Sequence, residues 1–238
     1  GAERALDTRN RGWPVWGNTV EYVDLSSVGV PAHATAVVLN LAAVDAAPGF
    51  WTAYPHAEPA RPNASSLNID LPNQTRNSQG IVALSPGARG FNIYSQSGGH
   101  LVVDVVGWFT GAGAGVSEDG LFVPSAPRRT LDTRTTSVMP LWGQSTVEFS
   151  SLSPYPSRTA AVAMNVAVTD PLFMGFITTY PAGVPRPLAA NLNVTALDQT
   201  IANHAISRVG SRAVSVFTQS GAHVVIDVTG WYLGPPDA

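Results

Sequence analysis

The stretch His100-Leu101-Val102-Val103-Asp104-Val105-Val106-Gly107-Trp108-Phe109 recurs later in the chain as His223-Val224-Val225-Ile226-Asp227-Val228-Thr229-Gly230-Trp231-Tyr232. A valine-rich run of this kind, without helical spacing, reads as a β-strand. Its alternate faces are Leu101, Val103, Val105, Gly107, Phe109 and His100, Val102, Asp104, Val106, Trp108. Both faces are mostly apolar, so the strand is expected in the middle of a sheet covered on both sides. Asp104, and Asp227 in the copy, then fall in a dry place where an ionised carboxylate is costly unless paired. A partner is available in Asp7-Thr8-Arg9 and its copy Asp132-Thr133-Arg134. If extended, that segment puts its aspartate and arginine on one face, and arginine best matches a buried carboxylate. Structural ion pairs Arg9 to Asp104 and Arg134 to Asp227 are therefore expected, bolting the first segment of each unit to its last strand; an exchange of partners between the units is the alternative.

The copies extend over the whole chain. Leu6-Asp7-Thr8-Arg9 answers to Leu131-Asp132-Thr133-Arg134, Trp16-Gly17 to Trp142-Gly143, and Val20-Glu21 to Val147-Glu148. Tyr54-Pro55 answers to Tyr180-Pro181, Arg61-Pro62 to Arg186-Pro187, and Gln96-Ser97-Gly98 to Gln219-Ser220-Gly221. This is a tandem duplication, with domains expected at 1–110 and 121–238 and a Gly/Ala linker at 111–120. Within the first unit, runs over 19–24, 34–44, 50–54, 66–71, 80–84, 90–94 and 100–109 read as strands between Gly, Pro, Asn and Ser turns. The fold class that follows is all-β: two tandem, pseudo-symmetric antiparallel β-sandwiches, jelly-roll or immunoglobulin-like.

Composition narrows the chemistry. The 238 residues carry 13 basic side chains, all arginine, against 16 acidic ones, a net charge of −3, with neither lysine nor cysteine. No basic excess exists for nucleic acid, and lysine-based Schiff-base or phosphate chemistry, thiol catalysis, disulfides and zinc-thiolate sites are excluded. Only 12% of residues are charged, about half the usual share. No apolar run approaches the ~18 residues of a spanning helix, so no membrane insertion is expected. The N-terminus, Gly1-Ala2-Glu3-Arg4, lacks both a basic and an apolar leader segment, so it is read as a mature or trimmed end.

Catalytic patterns are weak. The histidines His33, His56, His100, His204 and His223 form no metal-binding spacing, and no cofactor or metal is expected. Ser97-Gly98 and Ser220-Gly221 read as hairpin turns, not nucleophile elbows. Glu21 and Glu148 read as equivalent positions on the solvent side of an edge strand, and Asp45 and Asp170 as turn residues, with a calcium site lacking an Asp-rich loop as the alternative there. A pair of carboxylates for glycoside hydrolysis is the enzymatic alternative; the expectation is no enzyme. The stronger candidates are aromatic and cationic: Trp13, Trp16, Trp51 and Trp142 in turn-like surroundings, and Arg61 and Arg186 on Pro-rich loops. Exposed indoles stack on the apolar faces of sugars, with neighbouring polar groups holding the hydroxyls.

Arg129-Thr130-Leu131-Asp132-Thr133-Arg134, preceded by Phe122-Val123-Pro124 and followed by Asn191-Leu192-Asn193 and the closing strand at 225–232, resembles the LDTR repeat modules of secreted actinobacterial proteins. The first unit lacks the Phe-x-Pro lead-in. The resemblance implies an exported, extracellular or cell-surface chain, and no residue-level activity comes with it. Together with the residues it favours a non-catalytic, lectin-like module that binds a cell-surface or extracellular glycan or polymer, serves adhesion, or anchors an assembly to the envelope. The alternative is a structural spacer or self-assembling surface protein whose partners are other protein chains.

Overall fold

The computed structural model describes residues 2–111, 115–137, 139–150 and 158–235. The chain divides into two compact units, Ala2–Gly115 and Val116–Ala238. In the first, β1 (Glu3–Asp7), β2 (Thr19–Asp24), β3 (Ala34–Ala46), β4 (Gly49–Pro55), β5 (Leu67–Ile69), β6 (Gln74–Ala83), β7 (Gly90–Ser95) and β8 (His100–Thr110) form two antiparallel sheets. Their orders are β1-β8-β3-β6 and β2-β7-β4-β5. The second unit repeats this with β9 (Phe122–Asp132), β10 (Ser145–Ser150), β11 (Thr159–Thr169), β12 (Gly175–Pro181), β13 (Leu192–Val194), β14 (Ile201–Arg208), β15 (Ala213–Thr218) and β16 (His223–Leu233), ordered β9-β16-β11-β14 and β10-β15-β12-β13.

In each unit the first strand pairs with the last, the second with the seventh, the third with the sixth and the fourth with the fifth. This is one long hairpin wrapped into two sheets, the jelly-roll arrangement, and not the immunoglobulin order. Each unit has its own apolar core. In the first, Val37, Leu39 and Leu41 of β3 and Leu101, Val103 and Val105 of β8 face Trp51, Phe91 and Ile93 of the other sheet. In the second, Val162, Met164 and Val166 of β11 and Val224, Ile226 and Val228 of β16 face Ile177, Val214 and Val216.

Two expectations change. Among the described residues each unit has eight strands, and β1, with the sequence ERALD, escapes notice because Glu, Ala and Asp are poor strand formers; pairing with β8 overrides that preference. Segment 111–120 is not a free linker throughout. Gly120 N–H donates to Leu233 O (2.7 Å) and Leu233 N–H to Leu121 O (2.9 Å), while Arg158 pairs with Glu118 and Asp119. Its end belongs to the second unit, and residues 112–114 lie outside the described residues.

Candidate functional site

The LDTR signature turns out to be a clasp. The chain leaves β1 through a 3-10 turn, Thr8–Arg11, capped by Asp7, whose carboxylate accepts from Arg9 N–H. Because Thr8–Arg11 is coiled, Arg9 folds back onto Asp7 (Nε 2.8 Å, Nη2 2.6 Å) and does not pair with Asp104. The partner of Asp104 is Arg4, which stands opposite it across the sheet and grips both carboxylate oxygens (Nε 2.7 Å, Nη2 3.2 Å). Arg4 also reaches Asp7 (2.9 Å), because a bulge between Arg4 and Leu6 brings residues three apart onto one side. The second unit repeats every contact: Arg134 folds onto Asp132 (2.8 and 2.7 Å), and Arg129 holds Asp227 (2.9 and 3.0 Å) and Asp132 (3.2 Å). The expected pairs of Arg9 with Asp104 and Arg134 with Asp227 are thus corrected. The missed arginines were visible three residues ahead of each Asp-Thr-Arg.

The threonine of the signature closes the clasp. Thr8 is fully buried; its hydroxyl accepts from Leu101 N–H (2.9 Å) and meets His100 Nδ1 (3.1 Å). Thr133 does the same for Val224 N–H (2.8 Å) and His223 Nδ1 (3.2 Å). Leu6 and Leu131 pack on the two cores. Arginine donation holds the Asp7 and Asp132 carboxyls down to about 2, so both stay ionised at neutral pH and neither can act as a general acid there.

Beside the clasp of the first unit lies a cleft of about 380 Å³, lined by Pro14 to Gly17, Asp45, Ala47, Ser97 to Gly99 and His100. Three turns build it. The Trp16 loop is pinned by reciprocal bonds between Val15 and Gly99 (2.9 and 3.1 Å). Gly99 has φ +141, and a Cβ there would stand 2.8 Å from Ala46, so the close approach of the two turns requires glycine. Asp45 enters the β3–β4 turn in the left-handed region, φ +49, as short polar side chains do. Ser97 Oγ donates to Ala47 O (3.0 Å), which is turn chemistry. Trp16 is 66% exposed at the lip.

At the same end of the second unit, one more residue separates Asp170 from Gly175 than separates Asp45 from Gly49. Leu172 and Phe173 N–H donate to Gly221 and Ser220 carbonyls (2.8 and 2.9 Å), and the Phe173 ring edge comes 3.8 Å from where a Gly143 Cβ would stand. Trp142, Phe173 and Met174 are exposed on these adjoining turns.

The remaining candidates separate. Trp13 is exposed, with the Arg11 guanidinium 5.7 Å from its ring centre. Trp51 is wholly buried, because its neighbours form β4 and its side of that strand faces the core; its expected sugar-stacking role is corrected. Arg61 lies on the outer face of the β2-β7-β4-β5 sheet, 4.5 Å from the Tyr94 ring centre and 5.2 Å from that of Phe50. Arg186 lies 4.1 Å from Phe217 and 5.7 Å from Phe176.

Glu21 and Glu148 are not equivalent. Thr19 pairs with Ser95 and Ser145 with Thr218, which aligns Glu21 with Val147 and Tyr22 with Glu148. A slip of one residue exchanges the faces of a strand: Glu21 is bound by Arg11 (2.7 and 3.0 Å), whereas Glu148 lies outward and accepts from Ser215 (2.8 Å). Among the described residues no three His, Asp or Glu side chains gather to hold a metal ion, and no helix is long and apolar enough to cross a membrane. No family model and no curated protein matches the chain.

Proposed function

We propose that this chain is a secreted, non-catalytic tandem β-module that binds an extracellular glycan or envelope polymer through the end cleft of its first unit. The observation that carries this reading is the exposed Trp16 indole at the lip of a cleft that also presents Asp45, His100 and the polar backbone of the Ser97–Gly99 turn. An indole face takes the apolar side of a pyranose, and a carboxylate, an imidazole and backbone groups take its hydroxyls. Intrinsic fluorescence titration with soluble cell-wall and capsular oligosaccharides tests it. A saturable change that Trp16→Ala abolishes, with the β-sheet circular dichroism unchanged, is expected. The same change in Trp16→Ala as in the parent chain would overturn the site.

The alternative, a self-assembling or anchoring surface protein, draws on the second unit. Trp142 (69% exposed), Phe173 and Met174 make an apolar tip where the first unit has an open cleft. On that reading sedimentation shows concentration-dependent association that Phe173→Ser weakens, and no oligosaccharide alters it.

A further inference from the structure

We infer that the outer faces of the β2-β7-β4-β5 and β10-β15-β12-β13 sheets are a repeated binding site for an acidic polysaccharide, with Arg61 and Arg186 receiving its carboxylates. Arg4, Arg9, Arg11, Arg76, Arg129, Arg134 and Arg158 each lie within ion-pair distance of an aspartate or glutamate. Arg61 and Arg186 lie within ion-pair distance of no carboxylate among the described residues, and neither do Arg89 and Arg128, so what singles the two out is the pair of rings beneath each. They occupy equivalent positions, and each lies over two aromatic rings. Stacking on rings fixes the plane of a guanidinium; Arg61 Nη1 donates to Pro62 O (3.2 Å), so the edge left for a bidentate anion is that of Nε and Nη2.

The loops that carry these arginines are anchored alike. Thr52 Oγ1 donates to Ala64 O and Thr178 Oγ1 to Ala189 O, both at 2.6 Å. Ser66 N–H donates to Trp51 O (2.7 Å), and Asn191 N–H to Ile177 O (2.8 Å). Both loops therefore return to the strand below and hold the arginine against the sheet. Around Arg61 the face alternates rings with neutral hydrogen-bonding groups. Tyr94 Oη donates to Asn18 Oδ1 (2.8 Å), Asn92 Oδ1 meets His56 Nδ1 (3.1 Å), and Tyr22 stands edge-on to His56 at 4.8 Å. Rings for pyranose faces, amides and phenols for hydroxyls, and a stacked guanidinium for a carboxylate together match a uronic-acid chain better than an acidic peptide. The second face is weaker by design of its sequence: Glu148 stands where the first has Tyr22, on the same outward side as Phe217, and repels an anion.

The site is separate from the end cleft, so the two stand or fall independently. Calorimetry of the full chain with oligogalacturonate, its fully methyl-esterified form and polyglutamate reads it directly. Oligogalacturonate binding that weakens with salt, at least tenfold weaker binding of the ester and of polyglutamate, and no effect of Trp16→Ala are expected. Arg61→Ala lowers oligogalacturonate affinity at least tenfold; Arg61→Lys, which keeps the charge but not the stacked fork, lowers it nearly as far. Arg186→Ala has a smaller effect, and Glu148→Gln strengthens binding. Equal binding of acid and ester, or affinity unchanged in the Arg61 and Arg186 variants, would overturn the proposal. Polyglutamate binding as tight as oligogalacturonate would replace the sugar by an acidic peptide.

Discussion

The two units carry the same clasp in different surroundings. In the first, the Asp104 side chain is 4% exposed and its partner Arg4 31%; in the second, Asp227 is 23% exposed and Arg129 51%. Bond lengths barely differ, 2.7 Å against 2.9 Å. What differs is how much each pair depends on itself. A carboxylate deprived of its cation in a dry place has no water to turn to, whereas a partly wetted one recovers much of its solvation. Identical motifs in one chain thus separate the geometry of an ion pair from its energetics.

The largest expected effect follows from that contrast. Arg4→Ala should destabilise the first unit by about 3–5 kcal/mol, and Arg129→Ala the second by far less. Urea unfolding of the two variants checks this, and equal losses would show that burial is not what separates the clasps. Next comes the threonine, which the units share without difference. Thr8→Val and Thr133→Val each strand a buried strand N–H and should cost about 1–3 kcal/mol alike; unequal midpoints would mean that the symmetry of the clasps stops at the ion pairs.

A smaller and reversible perturbation is acid. Asp7 and Asp132 titrate at about 2 in the folded chain, against about 3.9 when unfolded. Their folded values are depressed, so the stability they contribute is fully present above about pH 4 and is lost as pH falls through about 2. The thermal midpoint should fall across that window, and less steeply in Asp7→Asn with Asp132→Asn. The least effect is expected of the conservative change at Trp51, whose buried indole N–H has no partner among the described residues where the second unit has Ile177. Trp51→Phe removes that unpaired donor along with some volume, so it should shift stability by less than about 1.5 kcal/mol. Trp51→Ala should cost about 3–5 kcal/mol. Calorimetric unfolding of both variants distinguishes packing from the polar term.

Much of this was legible in the sequence because duplication prints the important residues twice. The closing strand announced its central place through two apolar faces, and Asp104 announced its need for an arginine. The arginine itself was misassigned because a period of two was extended across Thr8, where the backbone coils, while the bulge that brings Arg4 beside Asp7 leaves no trace in composition. The offset between the units also shifts by one residue within the loops. Matching Glu21 to Glu148 by letter therefore placed on one face two side chains that lie on opposite faces. Trp51 looked like a turn residue beside Gly49, and only the pairing of β4 with β7 shows that it points inward. Arg61 and Arg186 were legible as positions, but the rings beneath them come from strands remote in sequence.

The wrapped hairpin also ranks its own closures by chain entropy. Its innermost pair, β4 with β5, closes a short loop, whereas the clasp joins Arg4 to Asp104 across a separation of 100 residues, the costliest closure in chain entropy. Folding from the inner turn outward would leave the LDTR segment to dock last, after the barrier has been crossed. Contacts formed that late act on the escape rate and hardly at all on the folding rate. The signature is then a latch: Arg4→Ala should steepen spontaneous unfolding while refolding proceeds at its former pace, and what the motif secures is the lifetime of the folded unit.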